Sequence, residues 1–391
     1  MKRIIFLGDG MGDYPIPELG NRTPLQAAKK PNMDRLAREG LLGTATTCPP
    51  GLEPGSDVAN MAILGYDPSE FYTGRAPLEA AARNIPLGPT DVAYRCNLVW
   101  VESGVMKDYS AGHITSQEGA ELMRAVQEEL GGDGFDFLPG VSYRNLLIRR
   151  DGVESQCTPP HNISDKPFEP HLPRDPVLRK FMLDSRAVLA DHPVNRKRRE
   201  AGKPPATMIW FWGCGKAPKV RPFEEKFGAR GAIITAVDLL RGVGRYLKFE
   251  VIEVPGATGY YDTNYEGKAR AALDALRRVD LLYLHVESTD EAGHEGSLKN
   301  KLRALEDFDR RCVGPVLDGL PELGEPVRAL LTTDHYTPVA LKRHTPEPVP
   351  FALWPAPRGK GDGPDFSEAS AANGSLGHRK ATGLMDLLLK P

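Results

Sequence analysis

Four short apolar runs do most to limit what this 391-residue chain can fold into: "RIIFLGDG" at 3–10, "DLLYLHVES" at 280–288, "ALLTTDH" at 329–335 and "VPFALWP" at 349–355. Each is rich in Leu, Ile, Val or aromatic residues and reads as a strand covered on both faces. Helical segments lie between them, such as "NMDRLAREG" (32–40), "YEGKARAALDALRRV" (265–279) and "SLKNKLRALEDFDRRCVGPVLDGL" (297–320). Strands alternating with helices predict an α/β fold built on a parallel sheet. In such sheets ligands bind off the carboxyl ends of the strands. Three of the four runs end there in residues that can hold a metal: Asp9, then Glu287 with Asp290 just beyond, then Asp334 and His335.

The middle of the chain differs. "AYRCNLVWVESGVMKDYS" (93–110), "GVSYRNLLIRRDGVESQCTPPH" (140–161) and "MIWFWG" (208–213) read as strands with hairpin-like turns. The basic run "NRKRREAGKPP" (195–205) reads as a solvated helix end and loop. A chain of this length carries two domains by default. The expected division is a core domain made of 1–84 and 249–391, with a smaller α+β domain, 85–248, inserted into it.

Composition removes several classes of function. Lys+Arg 50 against Asp+Glu 52 leaves a net charge of −2, which points to neither nucleic acid nor a membrane surface. No apolar run approaches the roughly 20 residues of a membrane span. "MKRIIFLGDG" meets an acid and glycines too soon for a signal peptide and reads as a first strand. The five cysteines, Cys48, Cys96, Cys157, Cys214 and Cys312, are scattered and form no C-x-x-C. That fits a reducing cytoplasm and neither a disulfide framework nor a structural zinc.

The chemistry concentrates in five places. In "EPGSDVANMAILGYDP" (53–68), Ser56 is expected as the N-cap of a helix closed by Gly65, with its hydroxyl at the positive end of the helix dipole. Asp9 sits in "LGDGMGD", Asp290 and His294 in "ESTDEAGHEG", Asp334 and His335 in "TTDHYTP", and His344 in "KRHTPEPVPF". Taken singly, each has a plain reading: a cap, a turn, a chance D-x-x-x-H, a surface histidine. Together they give three Asp and three His, all at strand ends or in the loops that follow. That is a ligand set for two divalent ions, with Asp290 and His294 one helical turn apart. Two such ions lower the pKa of a coordinated hydroxyl, so Ser56 has an activator without a neighbouring general base. His285 is expected as a core residue, His192 as a loop residue, and His378 has no partner motif.

The segments "GDGMGD", "PGSDVANMAILGYDP", "YTGRAPLEAAA", "TGYYDTNYEGKA", "HVESTDEAGHEG" and "TTDHYTP…RHTPEPVPF" resemble the archaeal-type cofactor-independent (2,3-bisphosphoglycerate-independent) phosphoglycerate mutases of the alkaline phosphatase superfamily. The resemblance runs along essentially the whole chain. It implies an alkaline-phosphatase-like parallel-sheet core and interconversion of 3-phosphoglycerate and 2-phosphoglycerate through a phosphorylated Ser56. One metal is implied on Asp290, His294 and His344, and the other on Asp9, Ser56, Asp334 and His335. Mn²⁺ leads, with Mg²⁺, Co²⁺ or Zn²⁺ also compatible, and no 2,3-bisphosphoglycerate is needed. The substrate grip is expected at Arg95, His113, His161 and Lys216 of the insert, with Lys268 reaching from the core domain. The implied partner is a small phosphorylated substrate, and a homo-oligomer is compatible with the sequence. A metal-dependent phosphatase or small-alcohol phosphotransferase would use the same metals and serine, and a scaffold that had lost its chemistry would not keep every ligand.

Overall fold

A computed structural model describes residues 1–356 and 361–390. Among these residues thirteen strands follow in chain order: β1 (Lys2–Gly8), β2 (Leu41–Thr46), β3 (Val92–Glu102), β4 (Val105–Asp108), β5 (Phe135–Val141), β6 (Arg144–Arg149), β7 (Met208–Gly215), β8 (Gly231–Ile234), β9 (Glu250–Ile252), β10 (Leu281–Val286), β11 (Val327–Thr332), β12 (Val349–Trp354) and β13 (Gly377–Lys380). The chain divides into two compact units, Met1–Tyr72 with Lys219–Pro391, and Thr73–Pro218.

The first unit holds an eight-stranded sheet in the order β13-β2-β12-β11-β1-β10-β8-β9. Its centre is parallel, with Ile4 of β1 opposite Leu282 of β10 and Ala329 of β11. Ile4, Ile5, Phe6 and Leu7 are all fully buried, so both faces of β1 are covered, as an uninterrupted apolar run requires. On one face the helix Tyr265–Leu276 packs through Ala269, Ala272 and Ala275, whose small side chains bring its backbone close to the sheet. The run at 349–355 departs from expectation: β12 is antiparallel to both β11 and β2. The reason lies in residues 333–348, which contain no helix to carry the chain back across the sheet. The chain simply turns round, and this returning loop bears Asp334, His335 and His344.

The boundaries also differ from 85 and 248. The helix Arg75–Ala82 buries Ala76 and Ala80 against Ala93, Leu146 and Ile148, which places it in the second unit. β8 and β9 extend the large sheet beside β10, which places 219–248 in the first. The second unit is an antiparallel sheet centred on β3, which pairs with β4, β6 and β7, while β5 adds to β6. With the helices Ser116–Leu130 and Pro176–Ala190 it is α+β, as expected. Among the described residues no helix is long and apolar enough to cross a membrane.

One buried cation ties the loops above the parallel strands. Lys301 is fully enclosed, and its Nζ donates to Asp13 Oδ2 at 3.0 Å, Gly12 O at 3.1 Å and Thr337 O at 2.7 Å. It therefore joins the loop after β1 to the loop after β11. Lys301→Met would leave the Asp13 carboxylate buried without its cation, at a cost of about 3–5 kcal/mol. Urea unfolding should show a clearly lower midpoint for this variant; an unchanged midpoint would refute the role given to the lysine.

Candidate active site

The carboxyl ends of β1, β8, β10 and β11 deliver Asp9, Thr235, Glu287 and Asp334 to one edge of the sheet. The chain then turns sharply after Asp9. Gly10 has φ +57°, and a Cβ there would lie 2.5 Å from Asp290 Oδ1, so only glycine lets the first loop pass Asp290. The Gly10 N–H donates to Asp334 Oδ1 at 3.0 Å, and the His335 N–H donates to the same oxygen at 2.9 Å. Asp290 and His294 lie on the helix Ser288–Glu295, one turn apart as expected.

Ser56 is the first residue of the helix Ser56–Ile63, and Gly55, extended at φ −173°, takes the N-cap position expected for the serine. The side chain is thereby freed from capping. Its Oγ lies 3.3 Å from Asp9 Oδ2 and 3.2 Å from His335 Nε2. Asn60, one turn on, donates to Ser56 O at 2.7 Å and to Asp334 Oδ2 at 2.9 Å, so one side chain fixes the helix start against the carboxylate. Tyr283 in turn donates to Asn60 Oδ1.

Hydrogen-bond partners assign the histidine tautomers. His294 Nδ1 faces Lys342 O at 3.0 Å, and His344 Nδ1 faces Pro54 O at 3.1 Å. A carbonyl only accepts, so both Nδ1 atoms carry hydrogen, and in the neutral form of each ring Nε2 carries the lone pair. Those two Nε2 atoms stand 2.9 Å apart, with Asp290 Oδ2 3.2 Å from one and Asp290 Oδ1 3.5 Å from the other. Thr337 donates its hydroxyl to Asp290 and can then accept from His335 Nδ1 at 3.2 Å. This leaves the His335 Nε2 lone pair 3.5 Å from Asp9 Oδ1 and 3.4 Å from Asp334 Oδ2.

The site is short of positive charge. Burial, then Asp334, Glu287 and Asp290, pushes the Asp9 carboxyl well above its usual range. Burial and Asp290 push Glu287 up to about 8. Burial also opposes the charge of Asp290, but His294 and His344 outweigh it and hold that carboxyl well below its usual range. Asp9 Oδ1 is buried with no hydrogen-bond partner. Ligand-capable atoms gather within 4.8 Å in three sets: Asp290–His294–His344, Asp9–Asp290–His335 and Asp9–His285–Asp334. Two imidazole Nε2 atoms 2.9 Å apart, crowded carboxylates and an unpartnered oxygen fit divalent cations held by nitrogen and oxygen.

The family model for 2,3-bisphosphoglycerate-independent phosphoglycerate mutase matches residues 37–195. A relative of that name from Methanothrix thermoacetophila is 52% identical over 396 residues, with 100% of both chains covered. One from Methanosarcina barkeri is also 52% identical, with the same coverage. The chain belongs to this family. It is thus an isomerase-class enzyme with a small phosphorylated substrate. Two solved structures agree. A Pyrococcus horikoshii protein superposes with TM-score 0.84 at 31% identity, over 99% of this chain and 96% of its own. The cofactor-independent phosphoglycerate mutase of Thermoplasma acidophilum gives 0.69 at 30%, over 100% and 99%.

For this family member the structure brings Asp9, Ser56, Asp290, His294, Asp334, His335 and His344 together in the first unit. In the second unit a chain of ring contacts joins three of the expected substrate residues. The Arg95 guanidinium lies 4.3 Å over the Trp212 ring, and His161 packs on Trp212 and Tyr109. Tyr109 meets Tyr143, which meets His113. Arg95 also donates to Glu79 Oε1, with Nε at 2.8 Å. Lys216 is half-buried just past β7, where its carbonyl accepts from Thr73. Lys268 does not reach a surface: it is fully buried and donates to His285 O at 2.9 Å. His285 is in the core as expected, yet its Nε2 lies 3.0 Å from Asp9 Oδ2. Asn60, Thr337 and Thr235 were not singled out by sequence; only Asn60, one turn after Ser56, carried a readable signal. His192 accepts at a helix N-terminus, and His378 faces Thr44 and Thr46.

In chelated protein, the hydrogen bond with Asp290 raises His294 to about 9, against about 6.5 for an unperturbed imidazole. A raised folded-state pKa stabilises fully below pH ~6.5, and that stabilisation is lost as pH rises through about 9. Chelated wild type should therefore lose its stability advantage over His294→Gln across that window, read as the difference in urea midpoints. Parallel pH profiles for the two proteins would contradict the assignment.

Proposed function

We propose that the chain interconverts 3-phosphoglycerate and 2-phosphoglycerate through a phosphoserine at Ser56. The observation that carries this reading is the Ser56 hydroxyl, released from capping and set between Asp9 and His335 at the start of a helix. Ser56 Oγ attacks phosphorus, the Oγ–P bond forms, and the bond to the C3 oxygen of the substrate breaks. The C3 oxygen takes up the proton that Ser56 gave up, and glycerate is released within the site. The C2 hydroxyl then attacks the same phosphorus, gives its proton to the same acceptor, and the Oγ–P bond breaks, with that proton returned to Ser56 Oγ. The first-turn N–H groups of the helix face anionic oxygens favourably throughout. Asp9 Oδ2 is the acceptor that the Ser56 proton meets on attack.

Two divalent cations fit this chain, one on Asp290, His294 and His344, the other on Asp9, Ser56, Asp334 and His335. When bound they neutralise phosphoryl charge and lower the pKa of a coordinated hydroxyl. Mn²⁺ suits the mixed imidazole and carboxylate set, with Mg²⁺, Co²⁺ and Zn²⁺ as alternatives. The donor is the substrate's own phosphoryl group, so 2,3-bisphosphoglycerate is not required. Holding glycerate between the two transfers needs cations for its carboxylate. Arg95, Lys216, His161 and His113 have that chemistry, with Glu79 as the carboxylate that Arg95 holds here. The five cysteines are free thiols, which suits a cytoplasmic setting.

Phosphorus NMR of the enzyme with 3-phosphoglycerate and Mn²⁺ should show 2-phosphoglycerate appearing without added bisphosphoglycerate and with little inorganic phosphate. Ser56→Ala should lower turnover on the order of 10³-fold or more. Inorganic phosphate as main product would favour a phosphatase, and an active Ser56→Ala enzyme would remove the phosphoserine.

A further inference from the structure

At the carboxyl end of β10 the sheet opens. β8 pairs with β10 as far as Ile234 opposite Leu284, and then leaves the ladder. The next β10 residue is His285, which is fully buried. Its ring bridges two strand ends: Nε2 is 3.0 Å from Asp9 Oδ2, after β1, and Nδ1 is 3.2 Å from Thr235 Oγ1, after β8. Lys268 Nζ holds the His285 carbonyl at 2.9 Å.

Hydrogen accounting gives the ring a direction. Thr235 Oγ1 accepts the Val237 N–H at 3.1 Å, so its own hydrogen is available to His285 Nδ1. An Nδ1 that accepts leaves the hydrogen on Nε2, which donates to Asp9 Oδ2. Ser56 Oγ approaches this same oxygen at 3.3 Å. The other oxygen, Asp9 Oδ1, is left unpartnered, 3.5 Å from His335 Nε2.

We infer that His285, held by Thr235 and Lys268, is a positioning residue for the phosphoryl transfer. It pins Asp9 Oδ2 and so turns Oδ1 toward His335 Nε2, while Oδ2 stays in front of Ser56. His285 acts through Asp9 and is not itself a metal ligand, although one of its ring nitrogens lies within 4.8 Å of a carboxylate oxygen of Asp9 and of Asp334. The inference rests on the two-cation reading of the site. It also reassigns Lys268, which supports the strand that carries this histidine.

The test uses the full chain and Mn²⁺ alone, with metal content by elemental analysis after dialysis and affinity by calorimetry. His285→Leu should keep the wild-type number of ions but weaken one of them by roughly 10–100-fold, the range for lost outer-shell partners. His285→Gln, whose amide can donate to Asp9, should recover part of that affinity. Thr235→Val should produce a smaller loss, and it decides the matter with the Gln variant if His285→Leu fails to fold. In these variants kcat should fall while the KM for 3-phosphoglycerate stays within about twofold. Wild-type Mn²⁺ affinity in the His285 and Thr235 variants would overturn the inference. So would the loss of a whole ion without recovery by Gln, because His285 would then be a ligand. A wild type that binds no Mn²⁺ would instead defeat the two-cation reading, so the two failures are distinguishable.

Discussion

Three aspartates buried at one edge of a parallel sheet are the constraint from which the rest of this site follows. Asp9, Asp290 and Asp334 are 0–4% exposed and cannot all carry charge in so little water. Asp9 bears the cost, pushed well above its usual range by burial and by the other carboxyl groups, while Asp290 is held well below by two histidines. A fold that only needed stability would not keep this arrangement, since apolar residues of similar size would cost nothing. Divalent cations of nitrogen and oxygen preference, bound there, would resolve the crowding and would place positive charge where a phosphoryl group needs it.

The surrounding polar groups give each of these side chains a fixed direction. Carbonyls at Pro54 and Lys342 set the tautomers of His344 and His294. Thr337 links Asp290 to His335, and Asn60 links Asp334 to the helix that carries Ser56. Lys301 joins the loop after β1, which begins at Asp9, to the loop after β11, which carries Thr337 and Lys342. The site is therefore a network of helix, loop and strand-end residues in which most bonds join positions far apart in sequence. Removal of one member leaves its partners buried and unpaired, and effects within the network should be larger than the sum of isolated pairs.

Local patterns made the strand-end acids and the Asp290–His294 pair legible, because strand ends and helical spacing are both properties of short sequence windows. The returning β12 was not legible, since an apolar run looks the same in either direction. The edges of the inserted unit were missed for a related reason. The helix Arg75–Ala82 chooses its unit through contacts with β3 and β6, and β8 chooses by pairing with β10; neither partner is near in sequence. Ser56 was displaced by one position because Gly55, extended, can serve as the cap. Lys268 illustrates the remaining difficulty: the family resemblance implies a lysine reaching for substrate, but here the helix turns it inward to a strand carbonyl.

Metal stoichiometry tests the central claim most directly. Metal-stripped protein, dialysed against Mn²⁺ and measured by elemental analysis, should hold two ions per chain. Asp290→Asn should lose one and Asp334→Asn the other, because each removes a carboxylate charge from a different donor set while keeping its size. One ion or none in the wild type, or a loss of both ions from either single variant, would contradict two separate cation sites at the ends of these strands.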